Sequence, residues 1–222
     1  MMLKLNNDVI LKAVRVSDPD ERDTSLDDKR QSIIANFCEE KGLRGVVAAH
    51  QINNRAMNLV VQVYRDQKSY EDHFGMGYYQ SHSGVIQSAT RYDLQPVYVG
   101  MCDHDLRMIA PNTAFINAAE MDVDPRDNGK MAEIIKSGMD QTLKNESGAL
   151  VMIAGQDKVH TNHWLIFEVY SDSSRYREHL QQDYYKSSFS RADEVVQSYN
   201  VLALSPDIVM TSVKTKTSVN NN

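Results

Sequence analysis

Two stretches of this chain are near copies. Val63-Tyr64-Arg65-Asp66, Tyr70-Glu71-Asp72-His73 and Tyr78-Tyr79 return as Val169-Tyr170-Ser171-Asp172, Tyr176-Arg177-Glu178-His179 and Tyr184-Tyr185, each displaced by 106 residues. Ser17-Asp18-Pro19-Asp20 and Val123-Asp124-Pro125-Arg126 keep the same spacing. A unit this long exceeds a solenoid repeat and matches a small domain, so the chain reads as two copies of one fold. Ala49-His50-Gln51 aligns with Ala154-Gly155-Gln156 at a spacing of 105, which places a one-residue gain in the turn that follows.

Each copy reads as strand, helix, strand, strand, helix, strand. In the first, these are Val9–Val16, Ser25–Lys41 stopped by Gly42, Val46–Ile52 and Met57–Tyr64 around Asn53-Asn54, Ser69–Ala89, and Leu94–Gly100. Gly75-Met76-Gly77 is expected to break the second helix, because glycine is costly in a helix interior. The second copy gives Ala114–Val123, Gly129–Lys144, Ala149–Gln156, His163–Tyr170, Ser173–Ser198 and Val201–Leu204. This order predicts an α+β chain of two tandem ferredoxin-like domains, 1–105 and 106–210, with a flexible tail at 211–222.

With 41% hydrophobic residues over 222 positions, there is material for two cores. No apolar run approaches the ~18 residues of a membrane span, and the first residues lack the apolar stretch of a signal peptide. The expectation is a cytoplasmic protein with no membrane partner. A net charge of −6 without clustered Lys and Arg argues against nucleic acid. Cys38 and Cys102 fall at unrelated positions of the copies, and His50, His104, His160 and His163 lack metal-ligand spacing, so no metal site is expected.

Strand parity divides His163–Tyr170 into two faces. His163, Leu165, Phe167 and Val169 suit packing under the helices. Trp164, Ile166, Glu168 and Tyr170, matched by Asn58, Val60, Gln62 and Tyr64, suit the lining of a cavity enclosed between the two facing sheets.

The pattern Glu/Gln-Val-Tyr-x-Asp-x-x-x-Tyr-x-x-His-x-x-x-x-Tyr-Tyr, carried by Gln62–Tyr79 and Glu168–Tyr185, resembles the antibiotic biosynthesis monooxygenase domain. The resemblance implies that the two sheets face each other in an intrachain version of the dimeric α+β barrel. The chain would then be a monomer with an internal pseudo-dimer, compatible with a further homodimer. The family includes cofactor-independent quinone-forming monooxygenases and heme-degrading enzymes. Trp164 and Tyr170 match an aromatic pair of the first branch, whose Asn and Arg positions hold His160 and Tyr184 here. Asn117 matches a first-strand Asn of the second branch. Its Trp and iron-ligand positions hold His179 and Phe189, with Leu11, His73 and Ser83 in the first copy and His82 one residue off register.

The resemblance implies oxidation of a small aromatic or quinol substrate without metal or flavin. The alternative is a non-catalytic barrel holding a small ligand or heme. Histidine is the natural base, so His179 and His73 are candidates, with Tyr170 or Asn162 donating to an oxyanion. Trp164, Glu168, Asn117 and Tyr64 would contact substrate. Against this, His73 and His179 recur in both copies and would also serve as helix anchors, Trp164 suits a core, and Glu168 suits pairing with Arg177 or Lys186. The copies differ at Trp164 against Asn58, Glu168 against Gln62 and Asn117 against Leu11, which predicts one competent pocket, in the second copy.

Overall fold

The computed structural model describes residues 2–4, 8–17, 23–74, 89–110 and 112–212. The Gly75-Met76-Gly77 break, Tyr78-Tyr79, His82, Ser83, the Asp18-Pro19 turn and the tail beyond Ser212 lie outside these residues. After a short strand β1 (Met2–Lys4), the first copy runs β2 (Ile10–Ser17), α1 (Asp23–Glu39), β3 (Leu43–Gln51), β4 (Asn54–Tyr64), α2 (Gln67–Phe74) and β5 (Ala89–Cys102). A short β6 (Leu106–Ile109) leads to the second copy. It runs β7 (Phe115–Val123), a 3-10 turn (Pro125–Asp127), α3 (Asn128–Asn145), β8 (Ala149–Asp157), β9 (His163–Tyr170), α4 (Ser173–His179), α5 (Asp183–Asp193), β10 (Val196–Leu202) and β11 (Leu204–Thr211).

The single helix expected over Ser173–Ser198 is instead two helices separated at Leu180–Gln182, and its last residues belong to β10. No glycine or proline marks that break, so composition concealed it. Each long second helix starts on an aspartate. Asp66 accepts from the Ser69 amide at 2.8 Å, and Asp172 accepts from the Ser174 and Arg175 amides at 2.8 and 3.1 Å.

Within each copy the strands lie in the order 4-1-3-2, as β5-β2-β4-β3 and β10-β7-β9-β8. The fourth strands join the copies. β5 pairs first with β2 and then, from Leu94 to Met101, with β8. β10 pairs with β7, and its continuation β11 pairs with β3. Because β10 leads directly into β11, nine of the eleven strands among the described residues close into a barrel, with β1 added beside β5 and β6 beside β11. Both seams carry a bulge after a proline, Pro96 opposite Gly155 and Pro206 opposite Ala49, since a proline has no N–H for the ladder.

Strand register corrects the alignment of the copies. Ala48 pairs with Val60 and Ala154 with Ile166, so both strands keep the 106 spacing and no residue is gained in that turn. The shift falls in the first strand, where Leu11 pairs with Val63 but Ile116 pairs with Val169, a spacing of 105. The counterpart of Asn117 is therefore Lys12 rather than Leu11: Lys12 faces Gln62 as Asn117 faces Glu168.

The expected assignment of the two sheet faces is inverted. Leu11, Val61, Val63, Ile153, Leu165, Phe167 and Val169 of both copies pack together inside the barrel. Trp164 and Tyr170 lie on the outer face with Met121 and Met152, under Met131, Ile135, Met139 and Leu143 of α3. In the first copy, α1 covers Val46, Ala48, Ile208 and Met210. Each such aliphatic burial contributes about 1.5–3 kcal/mol. The barrel interior is a filled core. No helix among the described residues is long and apolar enough to cross a membrane.

Candidate functional site

A cavity of about 190 Å³ opens between the outer face of the second sheet and its helices. Ala119, Met121 and Ile166 form its floor, Met131, Ile134, Ile135 and Met139 of α3 one wall, and Tyr185, Phe189 and Ala192 of α5 the other. Polar groups enter at one side: Asn117, Glu168, His179 and Tyr184.

His179 is the last residue of α4 and only 2% exposed. Its Nδ1 lies 2.8 Å from Oε1 of Glu146, which follows α3 and whose amide bonds the Thr142 carbonyl at 2.9 Å. The Tyr184 hydroxyl donates to the same carboxylate oxygen. A carboxylate only accepts, so the neutral imidazole carries its proton on Nδ1 and has its lone pair on Nε2. That Nε2 is buried without a partner among the described residues. Buried polar atoms are rarely left so, and an imidazole oriented by a carboxylate and open at its far nitrogen is the geometry of a general base.

Glu168 lies across from it on β9. Its Oε2 accepts from Asn117 Nδ2 at 2.8 Å and from the Tyr170 hydroxyl at 3.4 Å. Burial pushes its carboxyl above the usual range, against the lowering effect of His179 and these two donors. Burial also raises the Tyr170, Tyr184 and Tyr185 phenols, that of Tyr185 to about 12, so the tyrosines stay neutral donors.

The structure therefore brings together His179, Glu168 and Asn117, with Tyr170 behind Glu168. It separates the other candidates. Trp164, 1% exposed, is absent from the lining and donates Nε1–H to Asn128 Oδ1 at 3.1 Å, holding the start of α3. Asn162 sits on the β8–β9 turn and donates to Asp122 at 3.4 Å. His73 and Tyr64 belong to the first copy, where His73 Nδ1 lies 2.7 Å from Glu40 Oε1 and the Tyr64 ring packs 5.7 Å away. Arg177 and Lys186 pair with Ser173 and with the Gln181 carbonyl rather than with Glu168. Leu11 is core, whereas Phe189 lines the cavity and His160 is exposed on the β8–β9 turn. No group of three or more His, Cys, Asp or Glu among the described residues could hold a metal.

Glu146 is not among the sequence candidates, and Tyr184 stands among them only at the Arg position of the quinone-forming branch. The signal for Glu146 was available, since Glu40 and Glu146 are 106 apart and each precedes its histidine by 33 residues.

Residues 114–190, which contain Asn117, Glu146, Glu168, His179 and Tyr184, match the family model of the antibiotic biosynthesis monooxygenase domain. Over these residues the second copy is similar to that family. Among solved structures, a proposed monooxygenase from Lactobacillus acidophilus NCFM superposes with a TM-score of 0.79 at 19% identity, covering 91% of this chain and 96% of that one. One from Fusobacterium nucleatum subsp. nucleatum ATCC 25586 gives 0.82 at 20% identity, covering 94% and 96%. An anthrone oxidase-like protein gives 0.56 at 10% identity, covering 96% and 94%. At these identities the likeness is one of fold, and it spans both copies. No curated protein matches the sequence.

Proposed function

We propose that this protein is a cofactor-independent monooxygenase that oxidises a small aromatic or quinol substrate in the cavity of its second domain. The observation that carries the reading is the unpartnered Nε2 of His179, held by Glu146 in an apolar pocket. An apolar cavity of roughly 150 Å³ holds a benzene-sized ring, so about 190 Å³ in a half-open site suits one or two fused rings and is small for a tetrapyrrole.

His179 Nε2 takes the proton of a phenolic hydroxyl, leaving an electron-rich anion. The anion gives one electron to dioxygen, and the resulting radical and superoxide combine as a peroxide at a ring carbon. That carbon's C–H and the O–O bond then break together. One oxygen stays as the new carbonyl, and the other leaves as water with the two hydrogens lost by the substrate. The apolar walls exclude water from the anion, and Tyr184 and Glu146 stabilise the imidazolium formed at His179.

Oxygen uptake on a panel of hydroquinones tests this. Uptake by the wild type and its loss in His179→Asn are expected. No uptake on any member, or an intense Soret band on adding heme, would favour a ligand-holding barrel instead.

A further inference from the structure

The cavity has two polar points of attachment with spare capacity, and they differ in kind. His179 Nε2 is an acceptor without a donor among the described residues. Glu168 receives both of its bonds, from Asn117 and Tyr170, on Oε2, which leaves Oε1 without a protein partner among the described residues. Burial favours the neutral acid here, and a neutral acid places its O–H on the oxygen that is not accepting two bonds.

Apart from His179, the charged groups around the site are acidic. No Lys or Arg among the described residues lines the cavity, while Asp193 of α5 reaches its wall and Glu146 stands behind His179. The first copy differs at the equivalent cross-strand pair. Lys12 and Gln62 stand where Asn117 and Glu168 do, with Lys12 on the ring of Tyr70 and 2.7 Å from Asp93. The fold therefore accommodates a cation at this position, yet the cavity of the second domain has none. An anionic ligand entering it would be desolvated beside carboxylates with no counter-charge.

We propose that the second domain selects uncharged aromatic diols or hydroxy-ketones, with one hydroxyl donating to His179 Nε2 and a second oxygen accepting from Glu168 Oε1, and rejects rings bearing carboxylate or sulfonate. This rests on the monooxygenase reading for the identity of the site, but its test does not require turnover.

Anaerobic titration of the full chain with 1,4-dihydroxynaphthalene and with its 2-carboxylate separates the two. The neutral diol should bind at least about tenfold tighter, because an uncompensated buried carboxylate costs more than the ~1.4 kcal/mol this represents. Equal or tighter binding of the carboxylate, or no binding of the diol, would overturn the proposal. The double variant Asn117→Lys, Glu168→Gln installs the first copy's pair and should shift the preference at least about tenfold toward the carboxylate. A folded double variant with unchanged preference would also overturn it. Admitting air then distinguishes the two readings. Neutral-selective binding without oxygen uptake sinks the oxygenase and leaves the ligand class standing, whereas equal turnover of both ligands does the reverse.

Discussion

His179 and Glu146 stand 2.8 Å apart, and 106 residues earlier His73 and Glu40 stand 2.7 Å apart in the same arrangement. The shared pair fastens the end of the helix that follows the third strand to the end of the first helix in both domains. In the second, the imidazole also lines a cavity.

Substituting the two histidines separates these roles. His73→Asn and His179→Asn should each lower stability by about 1–3 kcal/mol, the cost of an unsatisfied buried carboxylate. Only His179→Asn should also lower kcat, by about 10²–10⁴. Denaturation curves beside oxygen-electrode rates check this, and parallel loss of rate in both variants would remove His179 from its role.

Glu168 gives a pH signature. Its folded carboxyl titrates above the ordinary value of 4.5, so the folded state holds a proton that the unfolded state releases first. That contribution is complete below the unfolded value and is lost as pH rises through the folded one. Melting temperatures of the wild type should fall more than those of Glu168→Gln as pH rises above 4.5. Parallel curves would mean that Glu168 ionises normally.

Much of this was readable from the chain, and the errors have physical causes. The 106 spacing and the apolar periods carry the 4-1-3-2 order of both domains, because each local pattern agrees with its copy. Period-two alternation correctly grouped Trp164, Ile166, Glu168 and Tyr170, but it cannot say which face the helices cover. The carboxylate among aromatics suggested a lumen, whereas the lumen is filled by Leu165, Phe167 and Val169 and the gap lies under α3. Glu146 lies after a helix, where no periodicity points. Asn117 was matched to the wrong partner because the one-residue shift sits inside the first strand, visible only from cross-strand register.

Gly155 tests the closure of the barrel. A Cβ there would meet Leu11 Cδ2 at 2.8 Å and Leu94 Cβ at 2.9 Å, both in the filled interior beside the Pro96 bulge. Gly155→Ala should cost about 1–3 kcal/mol in urea denaturation. A neutral result would show that the seam relaxes freely.

Truncation after Ala203 removes β11 and opens the β3 seam. Leu204, Ile208, Val209 and Met210 are buried there, so on the order of 6–12 kcal/mol of burial is forfeited, comparable to a whole domain's stability. The truncated chain should aggregate or elute as an expanded species in size-exclusion chromatography. A compact, cooperatively melting monomer would contradict the seam's importance.

Because β5 and the continuous β10–β11 run each serve both sheets, the two domains are one inheritance unit that is nevertheless written twice. In a barrel assembled from identical chains, every mutation strikes both sites at once, and a change that ruins one ruins the other. Here a codon alters one wall only. Lys12 and Asn117 hold the same place in the architecture and do not share a residue, so each half is free to change without the other.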